Sequence, residues 1–332
     1  MTWTRSFLRK PISPRFLEVS EDGADEKDSG QVVRRSRKGP DRTTFPATLC
    51  RLGSALWILV ISLVGLGGAV DPAVGQETPP PVVGGGSVGA RDLANQVNNP
   101  AAPLTLFQMR DVLLPDLAGS GGAANAFEIQ PVIPVGPFPS FHVTQLVKIS
   151  IAFPTLPSPV SKSGVGDLQF FDLVTIKEPW GRLGVGPILV FPTASDPVFG
   201  SGKWQAGPSL AAIYTAVKNL TAGFVLQNPI SYAGSPDRPG VNELIVTPTL
   251  TYTLPDGWFG GLSDFNWEFD WKNDGAATIP FGLQVGKVIH LGNLPVSFSA
   301  EAGRLVTRPS GTPNPGWFVG FELTPIFKWE LE

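Results

Sequence analysis

Residues that build most redox, metal and catalytic sites are scarce in this sequence. The 332 residues include one cysteine, Cys50, and two histidines, His142 and His290, which stand alone. A single thiol excludes a disulfide framework and a cysteine-based zinc site. Charged residues make up only 16 % of the chain. We therefore expect no cofactor and no metal.

The charge that is present is unevenly distributed. The net charge of −3 divides into +3 for residues 1–76 and −6 for residues 77–332. A mildly acidic main part gives no electrostatic basis for binding nucleic acid. Glycine (38), proline (34), phenylalanine (21) and tryptophan (9) are abundant instead. This composition favours many short strands joined by turns over packed helices.

The N-terminal part is typical of an exported protein. Residues 52–70 carry no charge, basic residues precede them, and Ala73-Val74-Gly75 fits a signal-peptidase site with cleavage before Gln76. We predict a polar, charged extension over 1–51, a hydrophobic signal-peptide region over 52–75 and a flexible leader over 76–103. A membrane-spanning helix is the alternative for the apolar run.

From residue 104 to residue 332, apolar and polar residues alternate as they do in strands. In 246–254, threonines alternate with larger residues such as Leu250 and Tyr252. In 265–271, aromatic residues alternate with Asn266, Glu268 and Asp270. A strand with one aromatic face and one carboxylate face fits a wall between lipid and water. The predicted lumen-lining residues are Glu268, Asp270, Glu301, Asp264 and Lys203. The predicted lipid-facing residues are Phe265, Trp267, Phe269, Trp271 and Phe298.

Turn residues divide this region into twelve predicted strands. An even number suits a single-chain antiparallel barrel that spans the outer membrane. Several prolines fall inside these strands, and we expect some of the strands to bend, bulge or end there because proline cannot donate to the ladder. The prolines concerned include Pro131, Pro187, Pro208, Pro248, Pro280 and Pro325. The strands are 104–114, 125–134, 140–152, 165–178, 183–192, 202–214, 219–232, 240–254, 258–270, 277–290, 294–307 and 315–329.

Alternation alone does not separate a membrane barrel from a soluble sandwich, which would bury its aromatic face. The export signal and the tryptophans near segment ends favour the barrel, because such tryptophans form a girdle at the membrane surface. They are Trp180, Trp204, Trp258, Trp317 and Trp329.

Several consecutive segments also resemble a known family. GVGDLQFFDLV (164–174), EPWGRLGVGPILVFPTASD (178–196), GSGKWQAGPSLA (200–211) and PFGLQVGKVIHLGNLPVSFSAEAG (280–303) are similar to the outer-membrane β-barrel family labelled for the MetA pathway of phenol degradation. The resemblance implies a transporter-like outer-membrane barrel over about residues 104–327. It also implies the outer-membrane assembly machinery and lipid as partners, although the chain ends on Glu332 and not on an aromatic or apolar residue.

The densest polar group lies around 264–274, and it has more than one interpretation. Asp264, Glu268 and Asp270 could form part of a charged ring in a pore, or they could belong to a solvated strand end and loop. Neither a glycosidase nor a phosphate-binding motif has supporting context. We predict that the chain is not an enzyme and that its barrel passes or binds small molecules, hydrophobic or aromatic ones among them. The alternatives are a structural barrel with a blocked lumen and a secreted β-sandwich that binds a ligand.

Overall fold

The computed structural model describes residues 89–115, 122–138, 143–309 and 316–327. The predicted extension (1–51), the signal-peptide region (52–75) and the first part of the leader (76–88) lie outside the described residues. Cys50, His142, Trp329 and Glu332 lie outside them as well.

One helix and fifteen strands make up the regular structure of the described residues. Helix α1 spans Ala90–Val97 and precedes the first strand. The strands are β1 (Thr105–Leu114), β2 (Ala124–Phe138), β3 (Val143–Leu156), β4 (Lys162–Ser163), β5 (Leu168–Glu178), β6 (Gly181–Phe191), β7 (Lys203–Tyr214), β8 (Leu220–Gln227), β9 (Ile230–Gly234), β10 (Glu243–Thr253), β11 (Trp258–Leu262), β12 (Trp267–Asp270), β13 (Ala276–Leu291), β14 (Leu294–Thr307) and β15 (Phe318–Phe327).

These strands form a closed antiparallel barrel with twelve strand positions. Neighbours along the chain pair with each other, and β15 pairs with β1 to close the ring. Strands β8 and β9 share one position beside β7, and β11 and β12 share another between β10 and β13. The two-residue β4 only extends the edge of β3. The predicted strand number and antiparallel barrel are therefore confirmed, and the two-sheet sandwich is excluded.

The two ends of the barrel differ in their connections. At one end the turns are short, as at residues 179–180 and 292–293, and β1 begins and β15 ends there. We call this the helix end, because α1 contacts β13 and the 3₁₀ turn Pro255–Gly257 there. At the opposite end, which we call the loop end, the connections are longer, as at residues 192–202. Short turns on the side of the termini and long loops on the other are typical of outer-membrane barrels.

Side chains alternate across the wall because successive residues of a strand point to opposite faces. In β10, Thr251 is 2 % exposed and its neighbour Tyr252 is 50 % exposed. In β13, Leu283 is 63 % exposed, whereas Val288, which has the opposite parity, is 1 % exposed. The outer surface is therefore apolar and the inner face largely polar.

The prolines disturb the ladder at some positions and not at others. Pro187 of β6 and Pro208 of β7 lie directly opposite each other in an unbroken register. Pro131 and Pro248 also keep regular partners. The register shifts beside Pro280 in the pairing of β13 with β14, and a second shift, between Val135 and Phe138 in the pairing of β2 with β3, spans Pro137.

Helix α1 lies within the segment predicted as a flexible leader. Ala90, Leu93, Ala94 and Val97 follow the spacing of one helical face. The Asn98 side chain donates to the Ala94 carbonyl oxygen at 2.7 Å and so satisfies one free group at the helix end. No helix in the described part of the chain combines the length and the apolar character that crossing a membrane would require.

Candidate functional site

The middle of the barrel contains a cavity of about 160 Å³. Its wall includes inward side chains from β1, β2, β3, β5, β8, β10, β13, β14 and β15, so the cavity lies in the lumen. Carboxamides, hydroxyls and a few charged groups supply most of its polar surface, and Leu106, Phe171 and Phe259 supply apolar surface. Among the described residues, no three metal-ligating side chains come together as a metal site would need.

A buried ion pair lies on the inner wall beside this cavity and spans β15, the strand between its two partners. Arg110 of β1 donates from Nε to the Glu301 carboxylate of β14 at 2.7 Å, and its Nη2 contacts the same oxygen. Both side chains are less than a tenth exposed. Glu301 fits because its neighbour across the strands, Gly320 of β15, has no side chain, and a Cβ there would overlap the carboxyl group. A pair so far from bulk water has to keep both partners, because removal of one leaves an uncompensated charge.

Phe265 is a correction to the sequence prediction, which placed it on the lipid side. It is 3 % exposed, the Arg110 guanidinium lies 4.4 Å from its ring centroid, and its ring is 4.2 Å from that of Phe318. The reason is a break in the strand. Residues 263–266 lie between β11 and β12 and outside the ladder, so the alternation that begins at Trp267 does not extend back to Phe265.

The other predicted lumen residues lie at different depths. Asp264 lines the cavity and accepts from Gln284 Nε2 at 3.3 Å. Glu268 points inward and is fully buried, but it does not line the cavity. Asp270 ends β12 and accepts from the backbone of the following turn. Lys203 begins β7 at the loop end, where its Nζ donates to the Ser235 carbonyl oxygen at 2.6 Å. The structure therefore brings Asp264 and Glu301 to the middle and leaves Asp270 and Lys203 near the loop end.

The remaining predicted lipid-facing residues have the outward parity. Trp267 and Phe269 are partly exposed on β12, and Trp267 Nε1 donates to the Pro280 carbonyl oxygen at 3.0 Å. Trp271 follows β12 and is 52 % exposed. Phe298 is partly exposed on β14, opposite in parity to the inward Ser297.

Helix α1 packs against inward side chains at the helix end of the lumen. Leu93 and Ala94 are buried against Leu106, Phe259 and Val288, all inward residues of the wall. Phe259 can lie over the neighbouring strand β13 because its partner in register is Gly286, where a Cβ would overlap the ring. After the helix, Asn98 and Asn99 form part of the cavity wall.

The segment 192–202, which we call the inner loop, packs into the lumen at the loop end. Phe199 is 4 % exposed and belongs to one apolar cluster with Val112, Phe265 and Phe318. A Cβ at Gly164 would overlap the Phe199 ring, so this glycine leaves the room that Phe199 occupies. The cavity thus lies between two apolar clusters, one at each end.

Polar bonds hold the inner loop in place. Asp167 accepts from the Ser201 backbone at 2.7 Å and from the Ala194 backbone at 3.2 Å. Arg238, from the connection between β9 and β10, donates to the carbonyl oxygens of Ser201, Pro197 and Gly200 at 3.2, 2.8 and 2.5 Å. Two neighbouring connections therefore fix the loop through directed bonds.

Sequence reasoning did not identify Arg110, Phe199 or α1 as part of this site. The spacing of apolar residues over 90–97 is a helical signal that could have predicted α1. Val198-Phe199 is an apolar pair in a stretch otherwise rich in glycine, proline and small polar residues. Arg110 gives no local signal, because its partners lie more than 150 residues away in sequence.

Comparison with known proteins gives only distant similarity. No family model and no curated protein matches the chain. Among solved structures, the COG4313 outer membrane channel from Pseudomonas putida F1 is 13 % identical with a TM-score of 0.48, over 68 % of this chain and 94 % of that one. Outer membrane phospholipase A from Escherichia coli is 12 % identical with a TM-score of 0.38, over 73 % and 99 %. LpxR from Salmonella typhimurium is 10 % identical with a TM-score of 0.34, over 67 % and 100 %.

These similarities are too distant to transfer a function, but they correct one expectation. The prediction that the chain is not an enzyme is contradicted, because one of the similar outer-membrane barrels is a phospholipase. A barrel of this kind does not by itself exclude catalysis. The label for the MetA pathway gains no support from the comparisons.

Proposed function

We propose that this chain is an outer-membrane barrel that passes small molecules through its lumen and that the structure corresponds to the closed state. The observation that carries the proposal is that two segments outside the wall, α1 and the inner loop, pack into the two ends of the lumen. In this proposal they are its two closures. Such segments can move while the strand ladder stays intact. A polar cavity between them is where a solute would pause on its way across.

The outer surface supports a position in a membrane. Leu250, Leu283 and Val285 are about half exposed on the outward face, where a soluble protein would carry polar residues. Tryptophans lie at both edges of this apolar surface, Trp180 and Trp258 at the helix end and Trp204 and Trp317 at the loop end. Aromatic girdles at the two interfaces are characteristic of outer-membrane barrels.

A structural barrel with a blocked lumen is the second candidate, and one observation favours it. Arg110 of β1, Glu301 of β14 and Phe265 of the segment between β11 and β12 form one buried group inside the lumen. If this group cannot move, the barrel is an anchor and not a passage. A twelve-stranded barrel lies between eight-stranded barrels, whose interior is filled by side chains, and the open channels of 16–18 strands, so its size is compatible with a blocked lumen or with a passage.

Conductance of the purified full-length chain in planar lipid bilayers tests the proposal. We expect mostly closed records with discrete openings, and more frequent openings when both closures are weakened by substitution. Recovery from the membrane fraction only with detergent is the accompanying test of location. The absence of discrete openings, even with both closures weakened, would favour the anchor, and recovery in the aqueous fraction would exclude both membrane functions.

A further inference from the structure

Uncharged polar side chains, carboxamides and hydroxyls, make up most of the polar wall of the cavity. Each carboxamide offers two N–H donors and a carbonyl acceptor, without charge. Six of them come from the wall and face one another across the cavity: Gln108, Gln130, Gln169, Gln227, Asn266 and Gln284.

Much of this hydrogen-bonding capacity is unused within the described part of the chain. Gln227 makes no side-chain hydrogen bond there, and Gln108 and Gln284 donate through Nε2, which leaves Oε1 available. Asn266 accepts from Thr247 through Oδ1, which leaves Nδ2 available. None of these available atoms is among the buried polar atoms without a partner. They are therefore accessible from the cavity.

The charged groups of the wall do not favour a solute of one sign. Two cations, Arg110 and Lys148, and two carboxylates, Asp264 and Glu322, line the cavity. Several of them have protein partners: Arg110 is paired with Glu301, and Glu322 accepts from Thr324 at 2.8 Å. A solute that exploits the carboxamides needs many hydroxyl groups and no net charge.

Apolar surface lies beside this polar wall. Phe171 of β5 and Phe259 of β11 line the cavity, while Thr249 and Thr251 add further polar surface on β10. A small ring that has hydroxyl groups at its edge and C–H groups on its faces matches both surfaces. The volume of about 160 Å³ is below the roughly 300–1,000 Å³ of typical drug-sized pockets, so the solute is small.

We infer that the cavity is a binding site for a small neutral solute rich in hydroxyl groups, of the monosaccharide or polyol class. The inference rests on the proposed function in that it names the class of solute that the lumen takes. It differs from the expectation of hydrophobic or aromatic solutes, which the carboxamide wall would leave with unpaired polar groups. A polar site that is left unpaired discriminates strongly against such analogues.

Binding of three probes to the full-length chain in detergent micelles tests the class of solute. The probes are xylose, phenol and tetramethylammonium, each followed by saturation-transfer NMR with titration. We expect saturable binding of xylose and at least tenfold weaker binding of the other two. Binding of phenol or tetramethylammonium as tight as that of xylose would overturn the inference, and so would the absence of saturable xylose binding.

Variants locate the binding. Gln227→Leu keeps the approximate shape and removes a carboxamide that has no side-chain bond, so we expect xylose affinity to fall about tenfold, the value of one hydrogen bond. Gln145→Leu is the matched control, because Gln145 is on the outward face of β3 and bonds to Asp172 there. If Gln227→Leu fails to fold, Thr249→Val removes a polar group from the same wall. Unchanged xylose affinity in a folded inner variant would overturn the site.

Swelling of liposomes that contain the protein separates this inference from the proposed function. If xylose binds in micelles but no solute enters liposomes, the passage fails and the binding site stands. If xylose, phenol and tetramethylammonium enter equally well and none of them binds saturably, passage stands and the assigned class of solute is wrong.

Discussion

The two closures of the lumen are built in different ways. At the helix end, α1 rests on apolar contacts of Leu93 and Ala94, and its hydrogen bonds among the described residues stay within the segment 89–104. At the loop end, the inner loop combines the apolar Phe199 with directed bonds from Asp167 and Arg238. Apolar contacts have no fixed direction, so the helix can shift while its apolar side chains stay buried. The loop has fixed partners, so it moves only when those bonds break.

The largest effect is expected when both closures are weakened together. The closures lie in series along one lumen, so either of them alone keeps it shut. Leu93→Asp combined with Phe199→Ser should convert mostly closed bilayer records into frequent discrete openings. A double variant at exposed positions, Asp92→Asn with Val160→Ser, should behave as the natural protein does. If one single variant conducts as well as the double variant, only one end closes the lumen.

Weakening the helix alone should affect only the helix end. Leu93→Ala removes a buried side chain that is 3 % exposed, and such changes destabilise packing by about 2–5 kcal/mol. We expect amide hydrogen exchange to rise over 90–97 and to stay unchanged over 192–202. Asp92→Ala, at an exposed position of the same helix, is the control. Equal changes at both ends would show that the closures are coupled.

Loss of Arg238 should have a smaller effect, limited to the loop end. Arg238→Ala removes three bonds to carbonyl oxygens, and a hydrogen bond to a charged group contributes about 1.5–3 kcal/mol. Amide exchange should rise over 197–201 and stay unchanged in α1. Arg238→Lys keeps the charge but not the planar fork of donors. If Lys protects the loop as well as Arg does, charge and not geometry holds it.

The smallest effect is expected from the exposed ion pair of the inner loop. Lys162 Nζ lies 2.5 Å from Asp196 Oδ2, but the Lys162 side chain is 50 % exposed. Surface pairs contribute about 0–1 kcal/mol and weaken with salt. Lys162→Ala should therefore change amide exchange of the inner loop by less than twofold at moderate salt. A change as large as that of Arg238→Ala would mean that this pair is a main anchor.

The strands of the barrel wall could be predicted from the sequence, but the segments and side chains that fill the lumen could not. Alternation along a strand is a local property, so the sequence around Thr251 and Tyr252 is enough to predict which face of the wall each residue lies on. The same reasoning fails at Phe265, because the strand stops between Leu262 and Trp267 and no adjacent residue signals the break. The ends of the lumen depend on contacts such as Leu93 with Phe259, which are distant in sequence.

The candidate site follows the same division. Glu301 could be proposed as a lumen residue from its strand position, and the structure has it paired with Arg110 beside the cavity. Asp264 also lines the cavity, but it lies in the break between β11 and β12, where alternation along a strand does not apply. The partner of Glu301, Arg110, could not be found in this way, since any inward cation would have served equally well. The carboxamide wall draws on strands from around the ring, and it becomes visible only when the ring is closed.

The break between β11 and β12 also affects how such a barrel can change over generations or in the laboratory. Along a continuous strand, every second residue points outward and has to be apolar, so inward and outward positions alternate in the sequence. Ser263, Phe265 and Asn266 are three buried positions within four residues, and none of them has to be apolar for contact with lipid. A short cassette of variants placed there would alter what the interior recognises while the exterior remains untouched, which makes this segment the natural starting point for redesign.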